Sequence, residues 1–180
     1  MKTSRIRILA AAVLLLPLIG GCALHHHSER LTPMTTIERN KATARRWSEE
    51  LWGGGNLAIA QEIVSPDYVR HDAGDPFPAR GPEDVQKIVT MLRGMLPDLT
   101  ITVDAMIAEG DFVVSRYTAT ATDTRGYMGM PPTGKRITTS AMQMFRFANG
   151  KIVESWAVRD DLGTLRQLGH LPQPTSATRP

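Results

Sequence analysis

Apolar residues recur at helical spacing in segments between residues 37 and 95, and after Pro97 the period changes to two. In 37–52 (IERNKATARRWSEELW), Ile37, Ala44, Trp47, Leu51 and Trp52 share one broad face with the charges opposite, predicting an amphipathic helix. Thr35 or Thr36 caps its start, and Gly53-Gly54-Gly55 ends it. Residues 57–63 predict a second, short helix, and 68–71 (YVRH) a short strand. The stretch 72–82, with three prolines and two glycines, predicts a loop. A third helix is expected over 83–95, where Val85, Ile88, Val89, Leu92 and Met95 fall on one side.

The alternation of Leu99, Ile101, Val103, Ala105 and Ile107 with Thr100, Thr102, Asp104, Met106 and Ala108 predicts the first long strand. Turn signals at Glu109-Gly110-Asp111 and Asn149-Gly150, and a Gly/Pro loop near 126–134, divide the rest into strands 112–123, 136–147 and 151–160. Residues 161–168 predict a terminal helical turn or two. Helices first and an antiparallel meander after them give an α+β domain, its helices covering the apolar face of a curved sheet around a pocket. Strict alternation puts Tyr117, Ala119, Ala121 and Asp123 on one face of their strand, and Ala141, Gln143, Phe145 and Phe147 on one face of the next. It groups Ile152, Trp156, Val158 and Asp160 on the last. With the apolar sides inward, Tyr117, Asp123, Gln143, Trp156 and Asp160 would line one pocket, with His71 at its edge.

Composition changes this picture little: a chain of 180 residues with 42% hydrophobic residues suits one domain and two tails. Location changes the meaning of the charge. Lys2, Arg5 and Arg7 account for the whole net charge of +3, so the rest is balanced and offers no footprint for nucleic acid. Those basic residues precede an apolar run, Ile8–Ile19, too short to span a bilayer, so 1–21 reads as a signal peptide. Its end, Ile19-Gly20-Gly21-Cys22, resembles the lipobox of bacterial lipoproteins, which implies lipidation of Cys22. Cys22 is the one cysteine, so neither a disulfide nor thiol catalysis is expected. Ala23 after it implies an envelope protein at the outer membrane facing the periplasm, touching the membrane through the lipid anchor only. Residues 22–35 form a tether. Its His25-His26-His27 run reads either as metal ligands or as a solvated linker; with no cysteine or acidic cluster beside it the linker is expected, and no metal site.

The residues Gly126-Tyr127-Met128-Gly129-Met130-Pro131-Pro132-Thr133-Gly134-Lys135, Phe145-Arg146-Phe147, Gly150-Lys151-Ile152-Val153-Glu154 and Gln167-Leu168-Gly169 carry a resemblance. The chain resembles the SnoaL-like polyketide cyclase (ester cyclase) family of the nuclear transport factor 2-like superfamily over about 36–169, leaving 170–180 as a disordered tail. The resemblance implies a cone-shaped domain enclosing a pocket, a homodimer through the sheet, and ring closure by aldol chemistry without metal or organic cofactor.

Two positions depart from the family pattern. The usual histidine before the G-x-x-G loop is Asp123 here, and the usual acid three residues before Arg146 is Gln143, which exchanges hydrogen bonds but takes no proton. The catalytic pair left to this chain is Asp123 and His71, with Tyr117, Gln143, Trp156 and Asp160 holding substrate. Each has a structural alternative: Asp123 as a turn residue, His71 as an ordered loop residue, Asp160 as a helix cap, Trp156 as core. The expected function is acid/base chemistry on a small apolar carbonyl compound, or non-catalytic binding of a small lipophilic ligand.

Overall fold

The computed structural model of the protein describes residues 34–72 and 77–172. Residues 1–21, for which a signal peptide is expected, Cys22, the histidine run and the end of the tail lie outside the described residues. Helix α1 (Thr36–Arg45) starts with a reciprocal cap: Thr35 Oγ1 accepts from the Glu38 N–H at 3.2 Å, and Glu38 Oε2 accepts from the Thr35 N–H at 2.7 Å. It continues as a π-helical segment, Arg46–Gly53. In an α-helix Trp47 and Trp52 would stand roughly 140° apart around the axis. The wider turn brings both indoles to one side, 5.7 Å between centroids. Arg93 closes the segment by donating to the carbonyls of Trp52 at 3.3 Å and Gly53 at 2.5 Å. Gly55, at φ +73°, is required there, because a Cβ would lie 2.6 Å from Arg93 Nε.

Helix α2 (Ala58–Ile63), strand β1 (Val64–Arg70) and helix α3 (Gly81–Met95) follow. The meander is β2 (Thr100–Glu109), β3 (Phe112–Thr122), β4 (Arg136–Ala148) and β5 (Lys151–Arg159), and α4 (Asp161–Leu168) ends it. Sheet order is β1-β5-β4-β3-β2, open at both edges, antiparallel except that β1 runs parallel to β5. Pro66 is accommodated because β1 is an edge strand. The α+β architecture with a mainly antiparallel sheet is therefore present. Its main core gathers on the inner face, where Trp47 meets Tyr68 at 5.7 Å and Phe145 at 5.8 Å between ring centroids. A second cluster, Leu96, Leu99, Ala121, Ile137 and Leu168, lies towards α4. Among the described residues no helix is long and apolar enough to cross a membrane.

Two bulges correct the alternation expected from sequence. On β5, Phe147 pairs with Ile152 but Arg146 pairs with Glu154, so Val153 is an extra residue. Beyond it every side chain changes face: Ser155, Ala157 and Arg159 stand with Phe145, Gln143 and Ala141, while Trp156 and Val158 stand with Met144 and Met142. On β2, Val103 pairs with Tyr117 and Ala105 with Arg116, so Asp104 is the extra residue. Ile107, grouped with Val103 by strict alternation, is instead 71% exposed.

Candidate functional site

The middle of the inner face is floored by short side chains. Ser115 pairs with Gln143 and Tyr117 with Ala141 between β3 and β4; Gln143 pairs with Ala157 and Ala141 with Arg159 between β4 and β5. Tyr117 and Gln143 thus lie on the inner face, as their alternation predicts. Trp47 Nε1 donates to Gln143 Oε1 at 3.2 Å, which fixes the amide and turns its NH₂ group away from Trp47. The wall beside this floor is charged. Arg70 lies 5.7 Å from the Trp52 ring centre and donates to Asp72 Oδ2 through Nε at 2.8 Å, with Nη2 at 2.6 Å; Arg159 Nη1 stands 3.7 Å from the same oxygen. Neighbour to neighbour, Trp47, Trp52, Arg70, Asp72, Arg159, Tyr117, Ser115 and Gln143 form a ring of side chains, the inner-face chamber, around the floor.

Trp52 Nε1, Ser115 Oγ and Asp72 Oδ1 on this ring are buried and without a hydrogen-bond partner. Buried polar atoms are satisfied in the great majority of cases, so unpartnered atoms gathered on one ring single it out as the candidate site. Burial holds the Tyr117 phenol above its ordinary pKa, with Arg159 and Asp72 acting in opposite senses on it. At the loop side of the chamber the Tyr127 hydroxyl donates to Asp161 Oδ1 at 2.6 Å; burial first, and then this acceptor, raises the Tyr127 pKa.

The catalytic pair expected from sequence is not assembled. Asp123 is buried, and its carboxylate accepts from the Gly126 N–H at 3.0 Å, the Thr133 N–H at 2.9 Å and the Thr133 hydroxyl at 2.9 Å. It ties together the two ends of the 123–134 loop, whose Gly126 leaves no room for a Cβ: one would meet the Met130 carbonyl at 2.0 Å. His71 is at the other end of the sheet on the outer face. Its N–H bonds the Ser155 carbonyl, level with Phe145, whereas the Asp123 N–H bonds the Lys135 carbonyl. Phe145 and Lys135 are separated by roughly 33 Å of strand.

On the outer face His71 stacks on Trp156, 4.8 Å between centroids, and its Nε2 lies 2.8 Å from Glu154 Oε2. Arg146 first, and then His71, holds the Glu154 carboxyl below the usual carboxylate range. Trp156 is therefore outside the chamber, displaced by the Val153 bulge. Asp160 caps α4, accepting from the Gly163 N–H at 2.8 Å. Its neighbour Asp161 is the aspartate that reaches Tyr127 and Arg159.

Sequence reasoning missed Trp52, Arg70, Asp72, Ser115 and Arg159. A signal for two of them was present: buried Tyr68 must face inward, so Arg70 and Asp72 follow it on alternate positions while His71 faces out. Surface grooves of about 410 Å³, beside Arg146 and Glu154, and about 650 Å³, between α2 and α3, include none of the ring residues. Among the described residues no three His, Cys, Asp or Glu side chains gather as a metal-ligand set.

Comparisons with known proteins agree with this architecture. Residues 42–168 match the model of the SnoaL-like polyketide cyclase family. Aklanonic acid methyl ester cyclase DnrD of Streptomyces peucetius is 29% identical over 128 residues, covering 70% of this chain and 88% of the relative. Among solved structures, the proposed polyketide cyclase IdmH of Streptomyces antibioticus superposes with a TM-score of 0.63 at 32% identity, over 72% of this chain and 98% of that one. AclR of Streptomyces galilaeus, described as a proposed hydroxylase, gives 0.67 at 30% identity, over 78% and 91%.

Proposed function

Because this chain belongs to the SnoaL-like polyketide cyclase family, we propose that it performs acid/base chemistry, using its own side chains, on a small, largely apolar carbonyl compound seated on the inner face of the sheet. One observation carries the reading: Trp52 Nε1 and Ser115 Oγ, two buried groups able to donate, are left unpartnered over a floor of small residues beside the NH₂ of Gln143. Hydrogen-bond donors in a dry site can recognise a carbonyl oxygen and stabilise it when it becomes negative. Apolar surface from Trp47, Trp52 and Tyr117 would cover the rest of such a molecule.

A second reading, non-catalytic binding of a small lipophilic ligand in the cell envelope, is favoured by Gln143 and by the three hydrogen bonds that occupy the Asp123 carboxylate. Native mass spectrometry of the full chain purified from its host tests both. The expected result is a co-purifying carbonyl compound that the protein converts on further incubation. A molecule returned unchanged supports the second reading, and a lipid without a carbonyl group contradicts the first.

Two further proposals concern setting. Lipidation of Cys22 and export to the outer membrane rest on the sequence of residues 1–23; labelled palmitate retained by wild type and lost from Cys22→Ala tests them. A homodimer through the outer face rests on an apolar stripe that the register runs across four strands, Ile107, Val114, Met144 and Trp156, with Met142 and Val158 beside it. Met142 is 55% and Val158 76% exposed, and contiguous exposed apolar side chains mark interaction surfaces.

A further inference from the structure

The chamber holds one carboxylate oxygen with nothing to do. Asp72 is only 3% exposed at its side chain, yet both contacts from Arg70 and the approach of Arg159 go to Oδ2, leaving Oδ1 buried and unpartnered. Two arginines on one oxygen fix the plane of the group. Oδ1 is then the one oxygen of an oriented carboxylate available to an incoming molecule. Across the floor, the chain offers donors: the Gln143 NH₂, directed by Trp47, and Ser115 Oγ on the paired position of β3. A carboxylate at one side and hydrogen-bond donors at the other are the two parts that enolisation requires.

We infer that Asp72 is the general base of this chain, its Oδ1 removing a proton from carbon next to the carbonyl of an enolisable ketone whose oxygen is held by Gln143 and Ser115. This rests on the catalytic reading above. In the step a C–H bond breaks, its proton bonds to Asp72 Oδ1, and the electron pair moves onto the carbonyl oxygen to give an enolate. The proton then returns to the same carbon, or the enolate carbon attacks a second carbonyl in the molecule and the proton passes to the new alkoxide. No oxidant or co-reactant is needed. The acid moves from the β4 position held by Gln143 to the end of β1, and Gln143 becomes an enolate-binding group.

The test uses 2-tetralone, a bicyclic apolar ketone, as probe, and 2-naphthol as the flat analogue of its enol. Full-length protein in D₂O is expected to speed exchange of the C1 protons, read by NMR. Asp72→Asn should lower that rate at least about 100-fold, the usual span of a general base, while 2-naphthol affinity, read by fluorescence, stays within a few-fold. Retained exchange in Asp72→Asn overturns the assignment and leaves the enzyme reading standing. Exchange that survives in Asp72→Asn and disappears in Asp123→Asn returns the role to Asp123. No exchange by wild type overturns the enzyme reading itself. Should Asp72→Asn not fold, Asp72→Glu keeps a charge for Arg70 and moves the oxygen; it should lose at least about 10-fold in exchange, and a wild-type rate there overturns the assignment equally.

Discussion

Two ends of the same inner face each bury an aspartate, and the two differ in what their oxygens have left to offer. At the loop end Asp123 gives both oxygens to backbone and hydroxyl donors of its own loop. At the chamber end Asp72 gives one oxygen to arginines and keeps the other free. Both side chains are buried, so burial does not separate them. Unused hydrogen-bonding capacity does, and it assigns Asp123 to loop architecture and Asp72 to chemistry.

Alkaline pH probes the chamber end with the largest expected effect. Burial holds the Tyr68 and Tyr117 phenols neutral beyond their ordinary pKa, so above about pH 10 the unfolded chain releases protons that the folded chain keeps. Stability is then complete below about pH 10 and falls as pH rises, by roughly 1.4 kcal/mol per pH unit for each phenol. Tyrosinate absorbance should appear together with loss of near-UV circular dichroism; its appearance in the folded protein would mean an open chamber.

Asparagine separates the two aspartates. At position 123 an amide must turn its NH₂ group towards a backbone donor whichever way it is placed, at a cost of about 3 kcal/mol. At position 72 the amide oxygen can keep facing Arg70 with the nitrogen on the unpartnered side, at about 1–2 kcal/mol. Urea unfolding of the two variants measures the difference, and equal costs would break the comparison. Trp47→Phe, which strands Gln143 Oε1 in a buried place, should cost about 2 kcal/mol by the same assay. Asp160→Ala removes only the α4 cap and should cost about 1 kcal/mol. Smallest in stability is Val158→Glu on the outer face, within about 0.5 kcal/mol, but it should convert the proposed dimer to monomer in sedimentation velocity.

Helices, strands, turns and the α+β class were legible because the periods of the sequence are strong on both sides of Pro97. The chamber was legible only in part. Tyr117 and Gln143 sit on strands whose alternation runs unbroken, so their inward direction could be read. Trp156 could not, since the Val153 bulge leaves no turn residue or glycine to announce it and reverses every later side chain. The π-helical widening that gathers Trp47 and Trp52 is equally silent in a helical pattern. His71 drew attention as a titratable residue type, while Arg70 and Asp72 on either side of it held the inward places. Alternation reads Asp160 as a pocket residue with a cap as its alternative, and the cap takes its side chain, while Asp161 one place on reaches Tyr127.

The three tryptophans of the chain report on three places: Trp47 on the floor bond to Gln143, Trp52 on the unpartnered donor of the chamber, Trp156 on the outer face. The indole N–H signals followed by NMR while 2-naphthol is titrated into the full chain therefore test the site directly. Occupation of the chamber should shift Trp52 most and Trp47 with it, leaving Trp156 in place. Movement of Trp156 alone, with Trp52 and Trp47 unchanged, would contradict the inner-face site.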